Sequence, residues 1–530
     1  MLWSAATGAQ IGADWLAARI APAGEFGRRA RESEPPFRPG DERKARALLE
    51  RVDRIAQTAP PATLGSLHGA LAAAPDPNPI VARARAGAVL ADVDFFELLR
   101  FFDALAEIGR LGAEGGFRRI PLGRPARELR SLLSGGRTPA RAFYLASSFD
   151  PALERARGEA AAMQAAFDAA RSRLAADVAR QLGRETLAEG EFVVMRDTLD
   201  APLPGGLRVL REAPTYLLCE LMLDDAALAA LAARNAAATA VAEEEEAVRT
   251  RLSQAVAGAA EELARATDAL GEIDSLAARV HFAQRYAAAL PEIGPEGRLT
   301  FEDARFLPLE AILRERGHRY ATISLQLDRV GVLTGPNMGG KTAALRTCGF
   351  VAACVALGVP VPARSASVPL FDEIVWIGLG SGPEDEGLLS AFGREVIELR
   401  EFFERTAPRP LVLIDEFART TSPREGRALL VALLEVLQKR GACALAATHL
   451  AHVAEVARVG HYAIAGLREL PARDGAEALE LDAALERIAR VMDYSIARVG
   501  ESDSPHADAL ALADVLGLDT ELIARARAAL

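Results

Sequence analysis

The chain has 530 residues and a formal net charge of -11, with half its residues apolar and a quarter charged. That length gives room for about two to four domains with real cores, and the composition is that of a soluble globular protein. The acidic balance excludes a global basic footprint for nucleic acid or an anionic membrane, and leaves room only for a local basic groove. Four scattered cysteines, Cys219, Cys348, Cys354 and Cys443, form no CxxC pair, which reads as buried thiols in a reducing compartment. The opening residues lack a basic n-region and are interrupted by Asp14, so they make a poor signal peptide. The uncharged run from Gly349 to Ala363 holds two prolines and is shorter than the ~18 residues of a membrane span. A cytoplasmic protein is expected.

From the N-terminus to about residue 300, helical periodicity dominates. "DERKARALLERVDRIAQ" and "DVDFFELLRFFDALAEIGRL" place apolar residues three and four apart. "ALERARGEAAAMQAAFDAARSRLAADVARQL" continues for about nine turns, long enough for a lever or coiled-coil arm. "EFVVMR" and "LRVLRE" then read as strands joined by the Pro- and Gly-containing loop "DTLDAPLPGG". A second long helical segment follows, from about Asp224 to Ala288. Residues 150–290 therefore predict a helix out, a small β tip and a helix back. Glu243–Glu246 lies in the returning helix, as a solvated face or an acidic docking patch. After about residue 300, "RVGVLTG", "PLVLIDE" and "GACALAATH" alternate with helix-like segments, the rhythm of a sheet flanked by helices. Three segments are expected: a helical core at 1–145, lever helices with a β tip at 146–295, and an α/β domain at 296–530.

That last segment carries the chemistry. Only three lysines occur, Lys44, Lys341 and Lys439, and the other 59 of the 62 basic residues are arginine. Lys341 sits in Gly335-Pro336-Asn337-Met338-Gly339-Gly340-Lys341-Thr342, which fits G-x-x-x-x-G-K-[ST] after a strand and before a helix. Such a loop curls its N–H groups around a phosphate at a helix N-terminus. Lys341 would reach the β- and γ-phosphates as a compact charge, and Thr342 would ligate Mg²⁺. An arginine would be too bulky and planar there. The apolar run Leu411–Ile414 delivers Asp415 and Glu416, 74 residues after Lys341 for Asp415. Asp415 would hold Mg²⁺, and Glu416 would orient the attacking water. His449 closes a third apolar run, either as a capping or core histidine or as a sensor of the γ-phosphate.

Taken in order, these residues resemble the MutS family of ATPases. "TGPNMGGKT" is similar to its phosphate loop, with Pro336, Asn337 and Met338 as telling as the lysine. "LSAFGREVIEL" resembles its Ser-Thr-Phe-x-x-Glu segment through Ser390, Phe392 and Glu395. "DEFARTTS" resembles Asp-Glu-x-Gly-Arg-Gly-Thr-Ser, and "ATH" the histidine switch. The end, from "YSIARVGESDSPHADALALADVLG", resembles the stretch before a dimerising helical end, and the first residues resemble the family's helical core. Ala418 and Thr420 replace the two family glycines around Arg419, Ala391 replaces a threonine, and Leu307 replaces the histidine of an Arg-His-Pro element. Tyr320 is a candidate for stacking on adenine, or a plain strand residue.

The resemblance implies a mostly α-helical core and lever arms followed by an ABC-type α/β P-loop domain. It also implies ATP and Mg²⁺ as ligands, and a homodimer with composite sites. Ser390 would reach the γ-phosphate bound by the opposite subunit, and Asn337 would contact phosphate within its own loop. No counterpart is expected for the family's mismatch-reading and connector domains, nor for a nuclease-like extension. Phe95-Phe96-Glu97, the spacing of a mismatch wedge, falls in an amphipathic helix and reads as core. Two functions follow: a DNA-associated clamp ATPase related to mismatch repair, or an ATP-driven protein-remodelling factor like the MutS-like subunit of a lysine 5,6-aminomutase reactivase. Residues 141–300 carry 17 arginines, no lysine and 25 acidic residues, which disfavours a phosphate-gripping arm.

Overall fold

A computed structural model describes residues 2–120, 122–139, 142–187, 190–199, 202–336, 339–378, 391–405, 407–467, 492–500, 510, 513 and 518–529. The chain forms two compact units that cut across the three consecutive segments expected. One comprises Met1–Ala73, Ile108–Arg119 and Ala269–Leu530, and the other Ala74–Glu107 and Ile120–Asp268.

In chain order the first helices are α1 (Ala5–Gln10), α2 (Ala13–Arg19), α3 (Glu25–Glu32), α4 (Glu42–Thr58), α5 (Pro61–Ala73), α6 (Asn78–Arg85), α7 (Asp92–Glu114) and α8 (Arg124–Ser134). The 31-residue α9 (Pro151–Gln181) leads to strands β1 (Glu191–Met195), β2 (Leu207–Glu212) and β3 (Tyr216–Leu221). The single returning helix expected over 224–288 is two, α10 (Asp225–Gly258) and α11 (Ala260–Tyr286), with a break at Gly258-Ala259. Glycine there withdraws side-chain support from the last turn of α10. The tip has three strands rather than two, in antiparallel order β1-β3-β2. One face of that small sheet packs Phe192, Val194, Leu217 and Cys219 against Val178 of α9. The lever helices α9 and α10 are tied by Arg157–Glu245 (2.8 Å), which gives the acidic run at Glu243–Glu246 an internal use. Phe95 is fully buried in α7 and its ring meets Phe143 at 5.2 Å, as the core reading expects.

The larger unit continues with β4 (Glu292–Ile293), β5 (Arg298–Ala304), α12 (Leu307–Glu315), β6 (Ile323–Asp328), β7 (Val330–Thr334), α13 (Lys341–Ala356), β8 (Ser365–Val368) and β9 (Glu373–Gly378). It closes with α14 (Ala391–Glu404), β10 (Pro410–Asp415), α15 (Pro423–Lys439), β11 (Cys443–Ala447), α16 (Val453–Ala457), β12 (Gly460–Leu467), β13 (Met492–Arg498) and a last helix, Thr520–Ala528. Six strands form one sheet in the order β13-β12-β7-β11-β10-β9, parallel except for β13 on β12. A four-stranded sheet, β4-β8-β5-β6, accompanies it.

The unbroken apolar runs of β7, β10 and β11 follow from burial on both faces. Leu333, Leu413 and Leu445 join the core that holds residues of α13, α2 and α4 together with Leu2 and Ile11. Val332, Val412, Ile414 and Ala444 face the core of α15 and α16. The edge strand β9 is covered by the N-terminal residues: Ile374 N–H donates to Leu2 O (2.8 Å) and Trp376 N–H to Thr7 Oγ1 (3.2 Å). An exposed edge invites pairing with another chain, so residues 2–7 belong structurally with this sheet. The four cysteines are buried and free; burial pushes the Cys443 thiol up to about 12. Among the described residues no helix is long and apolar enough to cross a membrane.

Leu413 is fully buried at the centre of the sheet. Leu413→Ala should cost about 2–5 kcal/mol of unfolding free energy through lost contact and a residual cavity, measured by urea denaturation.

Candidate functional site

β7 runs into the glycine-rich loop, and α13 begins at Lys341. The chain turns at Gly340, whose φ of +90° is open to glycine and not to a residue with a Cβ. A Cβ there would also come 3.2 Å from the Tyr494 ring. Asn337 and Met338 lie outside the described residues. The Lys341 side chain folds back along the loop and its ammonium donates to Gly335 O (3.0 Å) and Pro336 O (3.1 Å). Burial holds its pKa below the usual lysine value, against the pull of Glu416 and Asp415. A buried cation whose partners among the described residues are carbonyl oxygens fits an anionic phosphate as a stronger partner.

The second motif arrives from two strands away. β10 and β7 flank β11, with Asp415 level with Ala447 and Ala447 level with Leu333. Thr342, in the first turn of α13, donates its hydroxyl to Asp415, at 2.9 Å from Oδ2 and 3.2 Å from Oδ1. Burial pushes the Asp415 carboxyl up, while the Thr342 hydroxyl pulls it down and Glu416 pushes it further up. The donor set is one hydroxyl and one carboxylate, both hard oxygens. It suits Mg²⁺, which keeps waters and phosphate oxygens in its other positions. Among the described residues no three His, Cys, Asp or Glu gather as a protein cage for another metal.

Past Asp415 the backbone is strained. Glu416 has φ +50° and Ala418 φ +61°, a left-handed conformation that costs a non-glycine residue about 1–2 kcal/mol. Ala418 stands where the resemblance expects glycine, and it adopts the glycine-like angle. Two bonds hold the segment: Glu416 N–H donates to Ala447 O (3.0 Å), and Ala418 N–H donates to Glu395 Oε2 (2.8 Å). Glu395 is 4% exposed, and burial raises its pKa against the pull of that N–H. Phe392, one turn earlier on α14, sets its ring 6.4 Å from that of Phe417. Both matched residues of the Phe-x-x-Glu pattern therefore clamp the loop after Asp415. The Glu416 carboxylate is steadied by Arg419 Nη1 at 3.3 Å. The spacing of the sequence showed neither the clamp nor the Glu416–Arg419 pair, because 23 residues separate Glu395 from Ala418. The altered Gly-Arg-Gly element was the signal that the loop needed other support.

His449 follows β11, the strand between the two motifs, and its side chain is exposed. The preceding Thr448 is buried, with its N–H on Leu333 O (3.1 Å) and its hydroxyl accepting from Leu450 N–H (3.1 Å). The backbone thus presents His449 at the sheet end shared by Lys341 and Asp415, with no side-chain hydrogen bond to it among the described residues. Ser390 lies outside the described residues. Beside Gly339 and Gly340 a cavity of about 390 Å³ is walled by Tyr320, Ile464, Tyr494 and Ile496. Tyr320 precedes β6 rather than lying in a strand, and its hydroxyl accepts from Phe306 N–H (2.9 Å). Tyr494, on β13, was not legible as a wall of this cavity; an edge strand more than 150 residues downstream carries no local signal of its docking.

Removing the Glu395 carboxylate orphans the Ala418 N–H and frees a strained loop. Glu395→Ala should lower the unfolding free energy by about 1–3 kcal/mol in urea denaturation, the cost of an orphaned buried N–H, and Glu395→Gln, whose amide oxygen still accepts, should restore most of it.

The model of the family described as MutS domain V matches residues 331–528. Among curated proteins the chain is similar to Endonuclease MutS2 of Geobacillus thermodenitrificans, 34% identical over 215 residues, which is 39% of this chain and 26% of the relative. Endonuclease MutS2 of Halalkalibacterium halodurans is 31% identical over 209 residues, 38% of this chain and 26% of the relative. That of Carboxydothermus hydrogenoformans is 33% identical over 198 residues, 37% of this chain and 25% of the relative. The chain thus matches about a quarter of the length of these relatives. The loop, the strand-end acids and the matched domain coincide in one stretch of sequence, so residues 331–528 carry a domain similar to MutS domain V.

Proposed function

We propose that the protein is a Mg²⁺-dependent ATP hydrolase whose turnover drives a DNA-associated clamp related to mismatch repair. The observation that carries the hydrolase reading is the Thr342–Asp415 bond at 2.9 Å, which brings two motifs together beside Lys341. Lys341 exchanges its two carbonyl partners for β- and γ-phosphate oxygens. Thr342 and Asp415 would hold Mg²⁺, which would neutralise phosphate charge. Glu416 accepts a hydrogen bond from the attacking water and aligns it with the γ-phosphorus. His449 reads the presence of the γ-phosphate. Adenine takes the cavity between Tyr320 and Tyr494. A homodimer completes each site with Ser390 from the opposite subunit. Within this reading residues 1–145 are a core, 146–295 the levers and 296–530 the ATPase domain.

A second reading, an ATP-driven factor that remodels a protein client such as an aminomutase, is favoured by the tip. Three of its four arginines are engaged internally: Arg184 with Val193 O (2.9 Å), Arg196 with Ala213 O (3.0 Å) and Glu212 (3.1 Å), and Arg208 with Glu220. Val193 and Met195 are each about 40% exposed on the outer face of the sheet. Paired arginines and an apolar face suit a protein surface better than a phosphate backbone.

Glu416→Gln should bind ATP with near-normal affinity, lower kcat by about a hundredfold or more, and stabilise an ATP-dependent dimer seen by light scattering. Unchanged turnover would remove Glu416 from the mechanism. To separate the clients, ATPase activity is measured with duplex DNA, branched DNA or an aminomutase across a salt series. Stimulation by DNA that fades with salt supports the clamp, and stimulation by the mutase alone supports the remodelling factor.

A further inference from the structure

At the end of β7 away from the phosphate loop lies a concavity of about 550 Å³. β7 has five residues, so roughly 15 Å of strand separates the two places. Four arginines from separate segments line the concavity, Arg298, Arg329, Arg458 and Arg498, against two acids, Glu296 and Asp328. That is a local cationic surplus in a chain of net charge -11. Both acids are already matched. Asp328 takes Arg298 at 2.8 Å on one oxygen and Arg498 at 3.5 Å on the other. Glu296 pairs with Arg409 at 3.5 Å. Arg329 and Arg458 make no ion pair with a carboxylate among the described residues.

These two unmatched arginines are also backbone outliers. φ is +56° at Arg329 and +55° at Arg458, a region that glycine or asparagine enters more readily. Arg458 caps the short helix α16, where glycine is common. A cation near helix carbonyls gains a little from the dipole, but that accounts for nothing at Arg329. There two backbone bonds hold the strain: Arg329 N–H on Gly297 O (2.6 Å), and Ala444 N–H on Arg329 O (2.7 Å). The Arg329 side chain then lies across Gly297. A Cβ at Gly297 would come 2.9 Å from its Cγ and 3.3 Å from its Cζ, and Gly297 itself has φ +77°. A glycine is thus kept where the guanidinium needs room, and an arginine where glycine would be easier. Non-glycine strain of this kind gathers where a ligand is clamped.

We propose that this concavity is a phosphate-binding site separate from the nucleotide site, in which Arg329 and Arg458 supply the unmatched guanidinium groups. The planar fork of each arginine matches two phosphate oxygens. Arg298 and Arg498, already anchored on Asp328, border the anion and fix the wall around it. The phosphate group comes from a free anion or from the backbone of a nucleic-acid strand. The site does not depend on the hydrolase reading, since none of its residues belongs to the phosphate loop or the strand-end acids.

The test uses the full chain carrying Lys341→Ala, which silences phosphate at the loop, titrated calorimetrically with inorganic phosphate and with a short oligothymidylate. The same background carrying Arg329→Gly and Arg458→Gly is the comparison. Glycine accepts both left-handed angles, so the thermal midpoint should not fall; an Asn pair at the same positions stands in if the glycine pair unfolds. Phosphate binding that weakens about tenfold or more in the paired variant, as loss of two charge-assisted contacts implies, is the expected result. Oligothymidylate binding with the same arginine dependence would assign the phosphate to a nucleic-acid backbone, and phosphate binding without it would assign a free anion. A flat titration of the Lys341→Ala protein with both probes, or equal binding with and without the two arginines, would overturn the proposal.

Discussion

The Thr342 hydroxyl and the Asp415 carboxylate meet at 2.9 Å, and much of the larger unit is arranged so that they can. β11 must lie between β7 and β10, in register, for a loop after one strand to face an acid at the end of another. A slip of one residue would turn each strand's side chains to the opposite face. Burial of both faces prevents that slip, because α13 covers one side and α15 with α16 the other. The N-terminal residues take part by covering β9, so a segment far away in sequence protects the sheet that holds the site.

The site concentrates charge that folding alone would not favour. Lys341 and Glu395 are almost fully buried, and desolvation works against the charged form of each, as it does for Asp415. Each is compensated locally: Lys341 by loop carbonyls, Asp415 by a hydroxyl, Glu395 by a backbone N–H. The strained angles at Glu416 and Ala418 add a cost of about 1–2 kcal/mol each, offset by the bonds to Ala447 and Glu395. Such costs persist where a group must be held in place before the reaction begins. The orientation of Glu416, with its carboxylate against Arg419, is the product of that arrangement.

Local chemistry was legible in the sequence. The scarcity of lysine singled out Lys341, and unbroken apolar runs gave β7, β10 and β11 with Asp415 at a strand end. The acid-rich arms were legible as helices because their periodicity is long. What escaped depends on contacts between distant residues. The break at Gly258-Ala259 has no strong local signal in an alanine-rich helix. The third tip strand, Tyr216–Leu221, was hidden because its less buried positions, Tyr216 and Leu218, are apolar as well and mask the alternation. The clamp of Glu395 on Ala418 and the approach of Tyr494 to Gly340 are tertiary facts. The clustering of residues 1–73 with residues 269–530 in one compact unit likewise rests on contacts between residues distant in sequence.

The central claim is that Thr342 and Asp415 form one cation-binding corner for Mg²⁺ with ATP. Its most direct test is the Mg²⁺ dependence of ATP binding, by fluorescence of a labelled nucleotide, in the natural chain and in Thr342→Val, which keeps the shape and removes the hydroxyl. The account predicts that Mg²⁺ strengthens ATP binding in the natural chain, that this enhancement is lost in Thr342→Val, and that Mg²⁺-free affinity is unchanged. Full Mg²⁺ enhancement in Thr342→Val would contradict it.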